Sequence, residues 1–449
     1  VTDGLIIETK DGWLSGVRQS EVNAFLGVPF AAPPTGLRRG QPPQPTAPWA
    51  GVRAAKRFGR ASLQPTYPLM PTHSTDDSDE DCLYLNLWSP VGADGLPVLV
   101  LIHGGGFQIG SGAAPAYRGD RLAASGLVVV TFNYRLGALG FDQGPLWIQD
   151  QIAALQWVQR NIRAFGGDPE RVTLAGMSAG GVSVNALNLS PRARGLFSQA
   201  LIISGGGDSL FSPSPSPPPL PLSSEGLAPM RSPAFGGGRG EAPGMDGTFI
   251  AQLPSEALTQ GVSNARRIMV GYSSFEGSLL NNLAIPPDLM AQALGGPALF
   301  PNADGYDLYG ELIFRRPAND LALLAARGPA EVWQFDYGYV PQALRGLSRG
   351  ASHGAALYAL LETLEPAYSE LACEPKPADR KAAADFRERV VAFVSGGPPD
   401  RLEGPGWPAL TPDFPRVLLI GADGAETVIQ VHDLLAGQSP NLNGTPSDF

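Results

Sequence analysis

RVTLAGMSAGGVSVNALNL, residues 171–189, decides how this chain folds. Its first residues, RVTLAGM, are a short apolar run that predicts a buried strand. VSVNALNL has the apolar spacing of a helix. Between them lies Gly176-Met177-Ser178-Ala179-Gly180-Gly181. A G-x-S-x-G set between strand and helix is the pattern of a nucleophile elbow. The reason is steric: side chains at the flanking positions would clash in so sharp a turn. Glycine removes the clash and leaves the Ser178 hydroxyl raised at the end of the strand. The helix that follows then directs its positive N-terminus at the same point.

Working outward, PVLVLIH (97–103) and GLVVVTFNY (126–134) are continuous apolar runs, as expected for strands buried on both faces. A Gly-rich loop and a short helix near 117–125 separate them. This β–loop–α–β order predicts an α/β fold with a parallel sheet. Ile148, Ile152, Leu155, Val158 and Ile162 recur at three and four residues, so 148–164 is expected to be an amphipathic helix. Further strands are predicted at 199–204, 266–271 and 331–336. A hairpin is expected over 5–17, around Asp11-Gly12, and a closing hairpin over 416–432.

A hydroxyl needs a base before it can attack. The chain has four histidines: His73, His103, His353 and His432. In the order nucleophile, acid, base, His353 and His432 both fit. His353 is preferred because it sits in a Gly-flanked loop, RGASHGAALY, downstream of a predicted strand. Glu276, in the turn of GYSSFEGSLL, is the first choice of acid, with Asp246 and Asp304 as competitors. A carboxylate there would fix the imidazole tautomer. HGGGF (103–107) supplies consecutive glycines directly after a buried strand, so main-chain N–H groups can approach a substrate closely. Gly105, Gly106 and Ala179 are the expected oxyanion donors. His103 is expected to orient that loop.

Length and composition set the limits. The 449 residues are 43% hydrophobic and 16% charged, with a formal charge of −10. That balance opposes nucleic acid as a partner, which calls for a basic surface. The acidic run DDSDED (76–81) reads as a solvated loop. The two cysteines, Cys82 and Cys373, form no C-x-x-C or Cys/His metal pattern, so no structural metal is expected, and a serine nucleophile with its base calls for no cofactor. No apolar run reaches the roughly 20 residues that span a bilayer. The stretch from Gly205 to Gly244 is rich in Gly, Pro and Ser and reads as a surface excursion between two sheet strands. A loose linker is the preferred reading and a flap over the site the alternative.

These motifs together resemble the type-B carboxylesterases, the family of bacterial p-nitrobenzyl esterases and cholinesterases. FLGVPFAAPPTGLRR (25–39), DEDCLYLNLWSP (79–90), VLIHGGGF, NYRLGALGF, DQIAALQWVQRNIRAFGGDP, GMSAGG, FEG and the ASHG loop follow in the family's order, with Trp407-Pro408 near the end. The resemblance implies one α/β-hydrolase domain over 1–449, with a large, mostly parallel sheet flanked by helices. It implies a serine esterase with a Ser178–His353–Glu276 triad acting on small-molecule esters. It assigns Ser183 to support of the triad, and it makes Arg39–Glu80 and Arg135–Asp168 structural ion pairs. The family often pairs the EDCLYLN cysteine with an earlier one. Ser62 stands at that place here, so Cys82 is expected to be unpaired, which suits a reducing cytoplasm; an already processed, secreted chain would look the same at its start. Met177 replaces the family's usual Glu, which argues against cationic substrates. A non-catalytic binder, and hydrolysis of lactones, carbamates or amides, are the competing readings.

Overall fold

Eleven strands form one sheet in the computed structural model, which describes residues 5–65, 77–208, 211, 243–282, 285–288, 304–370 and 373–431. In chain order these strands are β1 (Val17–Gln19), β2 (Val22–Pro29), β3 (Tyr84–Pro90), β4 (Leu96–Ile102), β5 (Val128–Phe132), β6 (Gly167–Met177), β7 (Gln199–Ile203), β8 (Arg267–Ser273), β9 (Glu331–Tyr337), β10 (Arg416–Ile420) and β11 (Glu426–Gln430). In space they run β11-β10-β9-β8-β7-β6-β4-β5-β3-β2-β1. From β5 across to β10 every pairing is parallel; the pairings at the two ends are antiparallel. A separate small sheet joins Ile6–Thr9, Gly12–Ser15 and Val52–Ala54, and its first two strands are the hairpin expected around Asp11-Gly12.

The unbroken apolar runs follow from two cores, one on each face. Along β4, Val98, Val100 and Ile102 enter one cluster, whereas Leu99 and Leu101 enter the other. Successive strand side chains point to opposite faces, so a strand covered on both sides has no polar position to spare. On the first face lie α1 (Leu146–Asn161), α2 (Ala179–Leu189) and α3 (Arg316–Ala325). On the second lie α4 (Ala355–Leu361) and α5 (Pro377–Val394). From α1, Ile148, Leu155, Trp157 and Val158 are fully buried, and each such side chain contributes about 1.5–3 kcal/mol. Gly166 closes that stretch in a left-handed turn at φ 80°; a Cβ there would lie 2.3 Å from Ala93 O.

Some expectations need correction. The helix near 117–125 is a short turn, Pro115–Tyr117, and a single helical turn, Asp120–Ala123. The described part of the acidic run, 77–81, lies at the surface and is also tied to its neighbours. Arg60 meets Asp77 and Asp79, Arg39 meets Glu80 at 2.8 Å, and Tyr84 donates to Asp81. Arg135 does not pair with Asp168. It makes a buried two-pronged ion pair with Asp150 at 2.6 and 2.7 Å, and Asp168 faces Arg163 instead. The geometry leaves no choice: Arg135 follows the C-terminal end of β5, whereas Asp168 opens β6, a strand's length away. Cys82 and Cys373 are both unpaired. Most of the 205–244 excursion, His73 and His432 lie outside the described residues. No helix among the described residues is long and apolar enough to cross a membrane.

Candidate active site

The candidate residues gather at the C-terminal ends of the parallel strands, where open α/β sheets place their ligands. Ser178 follows β6 at φ 57° and ψ −126°. A non-glycine residue so placed costs about 1–3 kcal/mol of backbone strain. The turn is held from both sides: Ser178 N–H donates to Ile203 O at 2.9 Å, and Ser178 O accepts from Val182 N–H at 2.9 Å. The flanking glycines are obligatory. A Cβ on Gly176 would lie 2.2 Å from Gly180 O, and one on Gly180 would lie 2.2 Å from Ile102 O. The helix α2 begins at Ala179 with no capping side chain, so its first N–H groups face the same space.

The carboxylate comes from the loop after β8. Glu276 is buried, and its Oε1 accepts from Ser273 N–H at 2.7 Å and from the Ser204 hydroxyl at 2.5 Å. Its Oε2 meets His353 Nδ1. A carboxylate only accepts, so Nδ1 carries a proton, and the neutral ring would keep its lone pair on Nε2. His353 Nε2 is buried and has no protein partner among the described residues. Hydrogen bonds donated by main-chain N–H groups join the acid and histidine loops: Phe275 N–H to Ala351 O at 2.9 Å, Ala351 N–H to Ser274 Oγ at 2.9 Å, and His353 N–H to Ser278 Oγ at 2.8 Å. A π-helical turn, Gly310–Arg315, backs the pair. Gly310 packs on Glu276 Cβ, and the Phe314 ring lies 5.0 Å from the imidazole. The histidine and serine loops touch, because a Cβ on Gly354 would come 3.5 Å from the Met177 methyl.

The glycine loop closes the site. Gly104 packs directly on the serine turn, since a Cβ there would lie 3.2 Å from Ser178 Cβ. Gly105, at φ 113°, could carry no side chain: a Cβ would lie 2.1 Å from Ile109 O. His103 Nδ1 donates to Gly104 O at 2.9 Å. A peptide is planar and trans, so the N–H of Gly105 points away from that carbonyl. Gly105 O in turn accepts from Gln108 and Ile109 N–H, at 3.0 and 3.1 Å. By the same geometry Gly106 N–H points the other way. Neither N–H meets a protein acceptor among the described residues. Burial pulls the His103 pKa down to about 4, so its ring is neutral near pH 7.

Ser183 does not reach this pair. Its hydroxyl donates to Ala179 O at 2.9 Å and accepts from Gln151 at 3.0 Å, bracing the first turn of α2. The serine that touches the carboxylate is Ser204, which the sequence reading passed over. Like Ser178 it follows directly on a buried parallel strand, a place too ordinary in sequence to single it out. Asp246 and Asp304 are occupied elsewhere. Asp246 turns its own loop, and Asp304 caps the helix Gly305–Tyr309 and pairs with Arg349.

The strand order, the elbow and the carboxylate–imidazole pair at the strand ends define an α/β-hydrolase. Residues 3–216 match the model of the carboxylesterase family. The chain is 33% identical over 460 residues to a fumonisin B1 esterase of Sphingopyxis macrogoltabida, covering 90% of this chain and 84% of that protein. Among solved structures, a PNB esterase matches with a TM-score of 0.82 at 27% identity, covering 98% of this chain and 99% of that one. A Geobacillus stearothermophilus carboxylesterase matches with a TM-score of 0.80 at 30% identity, covering 94% and 97%. The chain belongs to the carboxylesterase family, and it is an enzyme that hydrolyses carboxylic esters.

Proposed function

We propose that Ser178, His353 and Glu276 form the catalytic triad, with Gly105, Gly106 and Ala179 N–H as the oxyanion hole. His353 Nε2 takes the Ser178 proton as Oγ attacks the ester carbonyl. The three N–H groups receive the oxyanion. His353 returns the proton to the leaving alcohol, and an acyl-enzyme remains. Water repeats the sequence and frees the acid. Glu276 holds the imidazole in its Nδ1–H form and stabilises the cation formed in each transition state. The observation that carries this reading is the Glu276–His353 contact, beside a Ser178 whose strained turn lies against both the glycine loop and Gly354.

The substrates are small-molecule esters that need carry no cationic group. Met177, beside the nucleophile, is buried and puts a methyl rather than a carboxylate next to Gly354. The relatives' names, a fumonisin B1 esterase and a PNB esterase, are those of ester hydrolases. We read 1–449 as one domain, since strands from Val17 to Gln430 share a single sheet. Two unpaired thiols suit a reducing compartment such as the cytoplasm. The test is Ser178→Ala assayed on p-nitrophenyl esters. The reading expects turnover to fall by at least about a thousandfold; turnover equal to the parent's would overturn it.

A further inference from the structure

We infer that Tyr117 and Tyr134 are positioning residues that clamp one peptide unit and thereby set the oxyanion hole. The unit is the bond between His103 and Gly104. Its carbonyl, His103 O, accepts from the Tyr134 hydroxyl at 3.0 Å. Its N–H, on Gly104, donates to the Tyr117 hydroxyl at 2.7 Å. The two tyrosines come from different places, one from the turn Pro115–Tyr117 and the other from the segment after β5. Both are fully buried. The His103 ring stacks on Tyr134 at 4.5 Å and meets the edge of Tyr117 at 6.1 Å.

The consequence is geometric. Glycine rotates freely about φ and ψ, so a run of three could turn any of its N–H groups inward or outward. Holding both polar groups of the first peptide removes that freedom at the root of the loop. The His103 imidazole then fixes the second peptide and aims Gly105 N–H, while the carbonyl of Gly105 fixes the third and aims Gly106 N–H. The first glycine N–H is used by a tyrosine, and the next two are left for the substrate. The clamp acts through the hole and rests on the reading of Ser178 given above.

The test is Tyr117→Phe and Tyr134→Phe, each removing one hydroxyl and little volume. An aryl trifluoromethyl ketone is the probe. Ser178 Oγ adds to its carbonyl carbon, the carbonyl electron pair becomes the oxyanion, and His353 takes the serine proton, so its affinity reports on the hole. Each variant is expected to lose about tenfold or more in kcat, with KM within about twofold, and to lose ketone affinity in the same proportion. A role confined to packing would lower the melting temperature and leave kcat and ketone affinity alike. Two folded variants that both keep the parent's kcat and ketone affinity overturn the clamp. So does a loss of kcat with unchanged ketone affinity. Ser178→Ala is assayed alongside. If it retains turnover, the nucleophile assignment has failed; if it is dead while both Phe variants match the parent, the clamp alone has failed.

Discussion

The Ser204 hydroxyl donates to Glu276 Oε1 over 2.5 Å, at the end of the strand next to the one that carries Ser178. Ser204 sits at φ 52° and is tied by its own N–H to Gly271 O at 2.8 Å, so the donor is held in place by a bond that does not involve the carboxylate. Glu276 thus has both oxygens engaged, one by Ser204 and Ser273 N–H and the other by the imidazole. A buried hydrogen bond to a charged group is worth about 1.5–3 kcal/mol. Ser204→Ala should therefore lower kcat by about tenfold to a hundredfold, with KM little changed. Steady-state kinetics on a p-nitrophenyl ester checks this, and an unchanged kcat contradicts it.

Gly105→Ala addresses the hole itself. The new methyl would collide with Ile109 O, and the residue would be held at φ 113°, which disfavours any side chain. The loop must shift and withdraw its donors. Losing one such donor costs about 2.7–4 kcal/mol of transition-state stabilisation, so kcat should fall by about a hundredfold or more. Circular dichroism should still report a folded enzyme.

His103 predicts a pH effect on stability. Its Nδ1–H is spent on Gly104 O, so a second proton must go to Nε2, which is buried without a partner among the described residues. The folded-state pKa is pulled down to about 4 from 6.5, so the folded protein binds this proton less readily than the unfolded chain does. The contribution is then fully present above pH 6.5 and is lost as pH falls toward 4; by linkage it amounts to about 3 kcal/mol. Urea unfolding between pH 4 and 7 should show this slope in the parent and a shallower one in His103→Gln. Equal slopes would contradict the assignment.

The corrected ion pair can be tested by stability alone. Arg135 and Asp150 are almost fully buried and bonded through two prongs. Removing one partner of such a pair typically costs about 3–5 kcal/mol. Asp150→Asn should lower the unfolding free energy by that order, whereas Asp168→Asn should change it by less than about 0.5 kcal/mol. The reverse ranking would restore the pairing expected from the sequence.

What could be read in advance follows the range of the physics involved. The strands 97–103, 126–134 and 171–177 were legible because burial on both faces leaves a continuous apolar run, and the elbow because its glycines answer local clashes. Glu276 and His353 could be named because each stands in a glycine-flanked turn in the right chain order. Ser204 and the two tyrosines were not legible. A serine after a strand or a tyrosine in a loop looks ordinary until the fold brings it against Glu276 or the His103–Gly104 peptide, across 72 and up to 31 residues of chain. The choice of Asp168 for Arg135 failed for a related reason. A match to family positions does not say which end of the sheet a residue occupies.

The most direct measurement is covalent labelling with a fluorophosphonate, followed by mass mapping of the modified peptide. One phosphonyl group on Ser178 of the parent is expected, with labelling slowed by at least about a hundredfold in His353→Ala. Labelling of another residue, or equal rates in the parent and His353→Ala, would contradict the account.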